Sequence, residues 1–167
     1  MDVWLVSEIE SNAMKKLLLV CMGNICRSPM AQAVAQKMAF DAGLSKQLKF
    51  DSAGTHTQRV GERPDPRAAQ TLSRRGYAIG RIRSRKMAVQ DFAHFDLILA
   101  MDANNLEDLR QRCSPESHGK LRLFLEFAEG LGSTEIPDPY YGNAEGFERV
   151  LDLCEAGAKG LIKHLAA

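Results

Sequence analysis

Short apolar runs recur along the chain, each followed by polar or turn-forming residues. Residues 16–20 (KLLLV) and 95–101 (FDLILAM) have the length and apolar character of buried strands. Residues 48–52 (LKFDS) are interpreted as a further strand, whereas residues 122–127 (RLFLEF) fit a strand or a helix. These runs predict the strands of a buried sheet.

Segments with helical spacing lie between these runs. Residues 29–42 place apolar side chains on one face, and residues 66–75 follow Asp65, which is a suitable N-cap. Asp102 is likewise placed to cap a helix that follows the predicted strand at residues 95–101. Residues 147–165 have the period of a long final helix. Alternating strands and helices predict a parallel sheet covered by helices on both faces, a three-layer α/β/α architecture.

Composition fits this prediction and narrows the function. Of the 167 residues, 45% are hydrophobic and 26% are charged, as in a soluble globular domain. The net charge of +1 favours neither nucleic acid nor a membrane as partner, and the apolar runs are shorter than the roughly 20 residues of a membrane span. Four unevenly spaced cysteines in a chain of this size indicate reduced thiols and a cytoplasmic protein.

Residues 1–13 do not fit the pattern of the rest. They lack the basic and apolar regions of a secretory signal, and the sequence from Met14 onward reads as a more natural start. We expect residues 1–13 to be an N-terminal extension that is disordered or not native. Residues 14–167 are expected to form one domain.

The segment CMGNICRSP, residues 21–29, follows the first predicted strand, at the edge where ligands bind in parallel α/β sheets. Gly23 and Asn24 permit unusual backbone angles, so the loop can turn successive N–H groups toward an anion. Arg27 adds a planar fork for two phosphate oxygens. These groups favour a thiolate at Cys21, which is then placed to attack phosphorus.

Attack on a phosphate ester also requires an acid for the departing oxygen. Asp138 lies in the proline-flanked segment DPYYG and is the candidate general acid and, later, base. Tyr140 and Tyr141 beside it are candidate walls for an aromatic ring. No metal site or cofactor is predicted, because the cysteines and histidines do not form a complete ligand set.

The motifs CMGNICRSP and DPYYGN together resemble those of the low-molecular-weight protein tyrosine phosphatases. DSAGT (51–55), PDPRA (64–68) and FDLILAMD (95–102) extend the resemblance over most of the chain. It implies a flavodoxin-like fold with a central four-stranded parallel sheet. It also implies hydrolysis of phosphotyrosine in proteins and of small aryl phosphates through a phosphocysteine.

The resemblance assigns a role to each matching residue. Cys21 is the implied nucleophile, Arg27 the phosphate clamp and Asp138 the general acid. Asn24, Ser28 and Ser52 are implied to hold the loop and the thiolate by hydrogen bonds, and Cys26 to form a reversible disulfide with Cys21 under oxidation. The residues implied to contact substrate or phosphate are Met22, Gly23, Asn24, Ile25, Cys26, Ser28, Tyr140 and Tyr141.

Two positions depart from the family pattern. Arg81 or Ile82 occupies the place of a histidine that usually supports the phosphate loop, so Asn24 is expected to lack a partner there. His56 or Gln58 replaces an aromatic residue after DSA, so one pocket wall is expected to differ.

Other functions are compatible with a cysteine loop of this kind. An arsenate reductase on the same scaffold needs further cysteines that relay a disulfide. The matching stretch of this chain, LAMDANNLEDLRQRC, has a single cysteine, Cys113, which lies too far along the chain for this role. A protein-arginine phosphatase tends to have Thr where this chain has the apolar Ile25. A phosphocysteine carrier also fits the loop, but it would not need Asp138 for ester cleavage. A non-catalytic phosphate-binding module is compatible with the loop as well, especially given the missing histidine. A nucleotide-binding loop is disfavoured, since GNICRS lacks the second glycine and the lysine.

The expected partner is a phosphotyrosine-containing protein, with a bacterial tyrosine kinase as one candidate, and neither nucleic acid nor a membrane. Basic residues greatly outnumber acidic ones between residues 59 and 86. Such a segment is usually a solvated face, but it also suits a phosphorylated, acidic partner.

Overall fold

The computed structural model of the protein describes residues 13–166. The predicted extension over residues 1–13 therefore lies outside the described residues, apart from Ala13. The elements follow in chain order as β1 (Lys15–Cys21), α1 (Arg27–Asp41), β2 (Leu48–Gly54), α2 (Pro66–Arg74), α3 (Asp91–His94), β3 (Leu97–Ala100), α4 (Ala103–Arg112), a 3-10 turn (Pro115–Lys120), β4 (Leu121–Leu123), a second 3-10 turn (Phe124–Phe127) and α5 (Ala144–Ala166).

The strands form one sheet in the order β2-β1-β3-β4, with every neighbouring pair parallel. Leu19 of β1 lies opposite Ser52 of β2 on one side and Leu99 of β3 on the other. This order is that of a flavodoxin-like fold, so the predicted four-stranded parallel sheet is confirmed. The chain reverses its direction of growth between β1 and β3, and the carboxyl end of β1 therefore opens into a crevice.

Both faces of the sheet are covered. Alternate side chains of β1 enter two separate apolar cores, with Leu17 and Leu19 on one face and Leu18 and Val20 on the other. The first core contains residues of α1, α2 and α5, and the second contains residues of α3 and α4. The three-layer α/β/α prediction is confirmed.

The observed boundaries of helices and strands differ from the predicted ones where tertiary structure decides them. Helix α1 begins at Arg27 rather than at Pro29, because the Met30 amide already donates to the Cys26 carbonyl at 3.1 Å. Arg27 and Ser28 thus belong to the first helical turn and not to the preceding loop. The ambiguous run 122–127 divides into β4 and a 3-10 turn.

Helix α5 packs against the second 3-10 turn at two glycines. A Cβ added to Gly160 would overlap the carbonyl oxygen of Phe127, and one added to Gly157 would lie 2.7 Å from the Phe124 ring. Such an overlap with backbone cannot be relieved by rotating a side chain. This contact fixes the start of the segment that leads to Asp138.

We expect Gly160→Ala to lower the free energy of unfolding by about 2–3 kcal/mol, because the methyl group forces α5 away from the turn. Gly146→Ala is the matched control in the same helix. Its added Cβ would lie 3.8 Å from Pro139, so stability should stay constant or rise by up to about 1 kcal/mol. Urea unfolding curves measure both variants, and equal midpoints would contradict the proposed contact.

Candidate active site

Cys21 ends β1 with its side chain buried at the carboxyl edge of the sheet. The backbone N–H of Asn24 donates to its sulfur at 3.3 Å, and the Ser28 hydroxyl oxygen lies 3.0 Å from the same atom. Helix α1 begins six residues later, so its N-terminal turn lies on the same side of the sheet edge. A thiolate here would be stabilised by two hydrogen bonds and by the positive end of a helix dipole.

Asn24 sets the shape of the loop. Its φ of 56° makes it the one non-glycine residue with a left-handed backbone between residues 13 and 166. Gly23 was expected to share this role, but its φ is not in the positive region, and an added Cβ would make an ordinary contact of 3.7 Å with Ile25. The loop thus needs its special conformation at Asn24 alone.

The Asn24 side chain is completely buried and its polar atoms are satisfied. Its amide nitrogen donates to the hydroxyls of Ser28 at 2.8 Å and Ser52 at 3.0 Å, and its oxygen accepts from the Arg85 backbone N–H at 2.9 Å. Ser52 passes the network on by donating to Gln32 at 2.6 Å. Loop, β2 and α1 are therefore joined beneath the sulfur.

The expectation that Asn24 lacks a partner near Ile82 is wrong for this chain. The Asn24 side-chain oxygen accepts from the Arg85 backbone N–H instead. A backbone group can donate there because the segment after Ile82 runs beside β2, where Met87 N donates to Gly54 O at 2.9 Å. The departure from the family pattern is compensated without a side chain.

Arg27 is the buried cation of the site. One terminal nitrogen, Nη1, donates to Asp102 Oδ2 at 2.6 Å and to the Ile136 carbonyl at 2.9 Å. The other, Nη2, lies 3.9 Å from Asp138 Oδ2. Burial by itself would lower the pKa of Arg27, but the charges of Cys21 and Asp102 and the hydrogen bond to Asp102 outweigh it and raise that pKa. The guanidinium is therefore charged at any physiological pH.

Asp138 lies in the loop between the second 3-10 turn and α5. Its Oδ1 accepts from the backbone N–H of Tyr140 at 3.0 Å, which leaves Oδ2 on the side of Arg27. The side chain is 38% exposed, so protons can exchange with solvent. The loop is attached to α2 through Arg67, which donates to the Tyr140 carbonyl at 3.0 Å and forms a two-point ion pair with Asp65.

These groups surround one pocket of about 260 Å³. Six of the eight predicted substrate-contacting residues line it, together with three residues of the loop after β2. The lining consists of Cys21, Met22, Gly23, Ile25, Cys26, Arg27, His56, Gln58, Arg59, Asp138, Tyr140 and Tyr141. Asn24, Ser28 and Ser52 are not in the lining, because they lie buried beneath the sulfur.

The two tyrosines have different environments. Tyr140 is half-buried, and its hydroxyl oxygen accepts from Arg59 at 3.1 Å. Tyr141 is almost fully exposed and meets the Tyr140 ring edge-on, with 4.9 Å between the ring centroids. Tyr140 is thus a fixed wall of the pocket and Tyr141 a free rim.

Cys26 is a second thiol in the same lining, but its surroundings differ from those of Cys21. Burial, together with the nearby charges of Asp65 and Cys21, raises the pKa of Cys26 to about 12. The Cys26 thiol is therefore protonated at neutral pH. Cys21 and Cys26 are both free thiols in this structure.

Sequence reasoning did not find three contributors to the site. Asp102 was predicted only as a helix cap, and its Oδ1 does accept from Asn105 N at 2.8 Å, while its Oδ2 holds Arg27. The Ile136 carbonyl and the Gln32 side chain carried no signal, since a backbone oxygen and a glutamine within a helix are common. An acidic residue after the third strand was the one signal available for a partner of Arg27.

Fold and site together define a flavodoxin-like α/β protein with a cysteine loop and a buried arginine at the crevice of its sheet. The family model described as "Low molecular weight phosphotyrosine protein phosphatase" matches residues 16–167. A Streptomyces coelicolor protein named low molecular weight protein-tyrosine-phosphatase is 39% identical over 150 residues, which cover 88% of this chain and 91% of that protein.

Solved structures give the same result. A protein tyrosine phosphatase from Entamoeba histolytica with Hepes in the active site has a TM-score of 0.88 at 40% identity, covering 90% of this chain and 96% of its own. Vibrio vulnificus Wzb, solved in complex with benzylphosphonate, has a TM-score of 0.79 at 30% identity, covering 91% and 99%. The chain belongs to the low molecular weight phosphotyrosine protein phosphatase family, and it is a hydrolase.

Proposed function

We propose that the protein hydrolyses phosphotyrosine in proteins, and small aryl phosphates, through a phosphocysteine formed on Cys21. The observation that carries this proposal is the pairing of one sulfur and one buried guanidinium in a single pocket with a carboxylate at its rim. The sulfur lies beside the Asn24 amide, and the carboxylate of Asp138 is 3.9 Å from Arg27.

The first step forms the intermediate. The Cys21 thiolate attacks phosphorus, the bond between phosphorus and the ester oxygen breaks, and Asp138 gives its proton to the departing phenolate. Arg27 and the loop amides bind the equatorial oxygens, where negative charge is spread in the transition state. Ser28 donates to the sulfur and so stabilises it as a thiolate.

The second step releases phosphate. Asp138, now a carboxylate, takes a proton from water as the water oxygen attacks phosphorus and the phosphorus–sulfur bond breaks. Inorganic phosphate leaves and the thiolate is restored. The same carboxyl group thus serves as acid and then as base.

An aromatic ester suits the walls of the pocket. The apolar Ile25 and the ring of Tyr140 line it beside the thiol. Wzb, a structural relative, has been solved with benzylphosphonate, in which a benzyl group is bonded to the phosphorus of a phosphonate. An apolar wall at Ile25 favours such a ring over the guanidinium group of phosphoarginine.

A panel of substrates tests the proposal against its rivals. The protein should release phosphate from a phosphotyrosine peptide and from p-nitrophenyl phosphate, far faster than from phosphoserine or phosphoarginine peptides, and it should not reduce arsenate. Phosphate release measures the first four and thiol consumption the last. Preferential hydrolysis of phosphoarginine, or arsenate reduction at a comparable rate, would contradict the assignment.

The physiological partner, the domain limits and the location are further parts of the proposal. We propose a phosphorylated tyrosine kinase as one substrate, residues 14–167 as a single domain and the cytoplasm as the location. The family match over residues 16–167 supports the single domain, and the four free thiols support the location in the cytoplasm. No helix of the described residues is long and apolar enough to cross a membrane.

A further inference from the structure

A second depression adjoins the candidate active-site pocket. Ile25 and Arg59 line both, so the two form adjacent parts of one surface. Its other charged residues are Arg63, Arg83 and two acids, and its volume is about 430 Å³. We call it the basic groove, defined by Arg59, Arg63 and Arg83.

The two acids of this surface lie beside Arg59 and Arg67 and leave Arg63 and Arg83 without an acidic partner in the part of the chain that the structure describes. Asp65 is engaged by Arg67, which binds it through two nitrogens at 2.9 and 3.1 Å and does not line the groove. Glu62 lies 3.9 Å from Arg59. Arg63 and Arg83 have neither a carboxylate nor a hydrogen-bond acceptor among residues 13–166.

Of the thirteen arginines, all within residues 13–166, seven lie within 4.0 Å of a carboxylate, and Arg63 and Arg83 are among the six that do not. Several other arginines of the described chain, including Arg27, Arg67 and Arg75, bind one or more carboxylates. Two exposed guanidinium groups without partners therefore leave a local excess of positive charge beside the pocket. Each offers a planar fork that matches the oxygens of a phosphate or a carboxylate.

The backbone holds these two arginines in place. Gly61 N donates to Ser84 O at 2.8 Å, and Ser84 N donates to Glu62 O at 2.9 Å. This reciprocal pair joins the segment that carries Arg63 to the segment that carries Arg83. A further hydrogen bond, from Asp65 N to Ile25 O at 2.8 Å, attaches the segment that carries Arg63 to the loop between β1 and α1.

We propose that the basic groove binds a second anionic group of the substrate, a phosphate or a carboxylate carried two residues from the phosphotyrosine. The inference rests on the proposed function, because it places the phosphotyrosine in the adjoining pocket. An extended peptide advances by about 3.3 Å per residue, so a near neighbour reaches a groove that shares a wall with that pocket. The groove is thus a specificity subsite for acidic or multiply phosphorylated sequences.

Three peptides that differ at one position test the subsite. Each carries one phosphotyrosine, with phosphoserine, glutamate or alanine two residues away, in one set before it and in another after it. The readout is kcat/KM for dephosphorylation of the tyrosine, followed by tyrosine absorbance and divided by kcat/KM for p-nitrophenyl phosphate. In at least one set, we expect the normalised kcat/KM of the anionic peptides to be about tenfold higher than that of the alanine peptide at low salt. This ratio should fall as salt screens the charges.

The double variant Arg63→Glu/Arg83→Glu should lose this preference and turn toward the alanine peptide. Arg81→Glu/Arg149→Glu is the matched control. It makes the same change of charge at two exposed arginines that line neither the pocket nor the groove, and it should keep the preference.

The outcomes separate the two anion sources and the two hypotheses. A gain for phosphoserine alone assigns the groove to phosphate, and an equal gain for glutamate assigns it to negative charge in general. Equal rates for all three peptides in both sets, or equal losses of preference in the two double variants, would overturn the subsite. Absent turnover of p-nitrophenyl phosphate by the unaltered protein would instead overturn the proposed function, without reference to any peptide.

Discussion

Cys21→Ser is expected to lower turnover of p-nitrophenyl phosphate by on the order of 10⁴-fold or more. A serine hydroxyl stays protonated at neutral pH, so the loop amides and Arg27 would surround a neutral group that attacks phosphorus poorly. The replacement is nearly isosteric and keeps a hydrogen-bonding atom toward Ser28 and the Asn24 amide. Steady-state release of nitrophenolate measures the effect.

Phosphate binding by Cys21→Ser distinguishes a loss of the nucleophile from a loss of the folded site. Inorganic phosphate should still bind Cys21→Ser in calorimetry, because Arg27 and its partners are untouched. Cys113→Ser is the control, since that thiol lies outside the pocket and should leave turnover unchanged. Substantial turnover by Cys21→Ser would contradict a phosphocysteine pathway.

Asp138→Asn is expected to slow phenyl phosphate hydrolysis by on the order of 10²–10³-fold. An asparagine oxygen still accepts from Tyr140 N, so the loop should keep its shape while the proton donor is lost. The loss should be clearly smaller for p-nitrophenyl phosphate, because nitrophenolate departs more readily than phenolate without a proton. Comparison of kcat for the two esters measures this difference.

Glu145→Gln provides the control for a changed charge near the same loop. This exposed residue, at the start of α5, does not line the pocket, and its variant should hydrolyse both esters at the original rate. If Asp138→Asn lost the same factor on both esters, proton donation would not be its role. A rate equal to that of the unaltered protein would remove Asp138 from the mechanism.

Most of the fold could be predicted because the strands of a sheet that is covered on both faces share one requirement on their sequence. A strand buried on both faces must be short and almost wholly apolar, as residues 16–20 are. The short helix α3 and the first 3-10 turn escaped prediction, since a single turn carries no period. Residues 122–127 were ambiguous because the last four of them form a 3-10 turn that packs under α5.

The site could be predicted where function requires a particular residue type at a particular spacing. Cys21, Arg27 and Asp138 line one pocket although more than a hundred residues separate the first from the last. The partners of Arg27 could not be predicted, because tertiary contacts bring them to it. Asp102 follows β3, which pairs with β1, and Ile136 is attached to the end of β3 by its N–H, which donates to Met101 O at 2.8 Å. Tertiary contacts of the backbone leave no mark on composition or period.

The contacts of Arg27 also bear on how much the enzyme must rearrange when substrate enters. Both hydrogen bonds from this side chain leave through Nη1, so in the described part of the chain Nη2 and Nε donate to no protein group. The orientation of the guanidinium plane is therefore fixed when the protein folds. An arriving phosphoryl group meets two N–H donors of Arg27, Nη2 and Nε, that are not hydrogen-bonded to any of residues 13–166. Preorganisation of this kind lowers the reorganisation energy of the reaction, and it implies that loosening the loop at Ile136 would slow catalysis from a position that never touches the substrate.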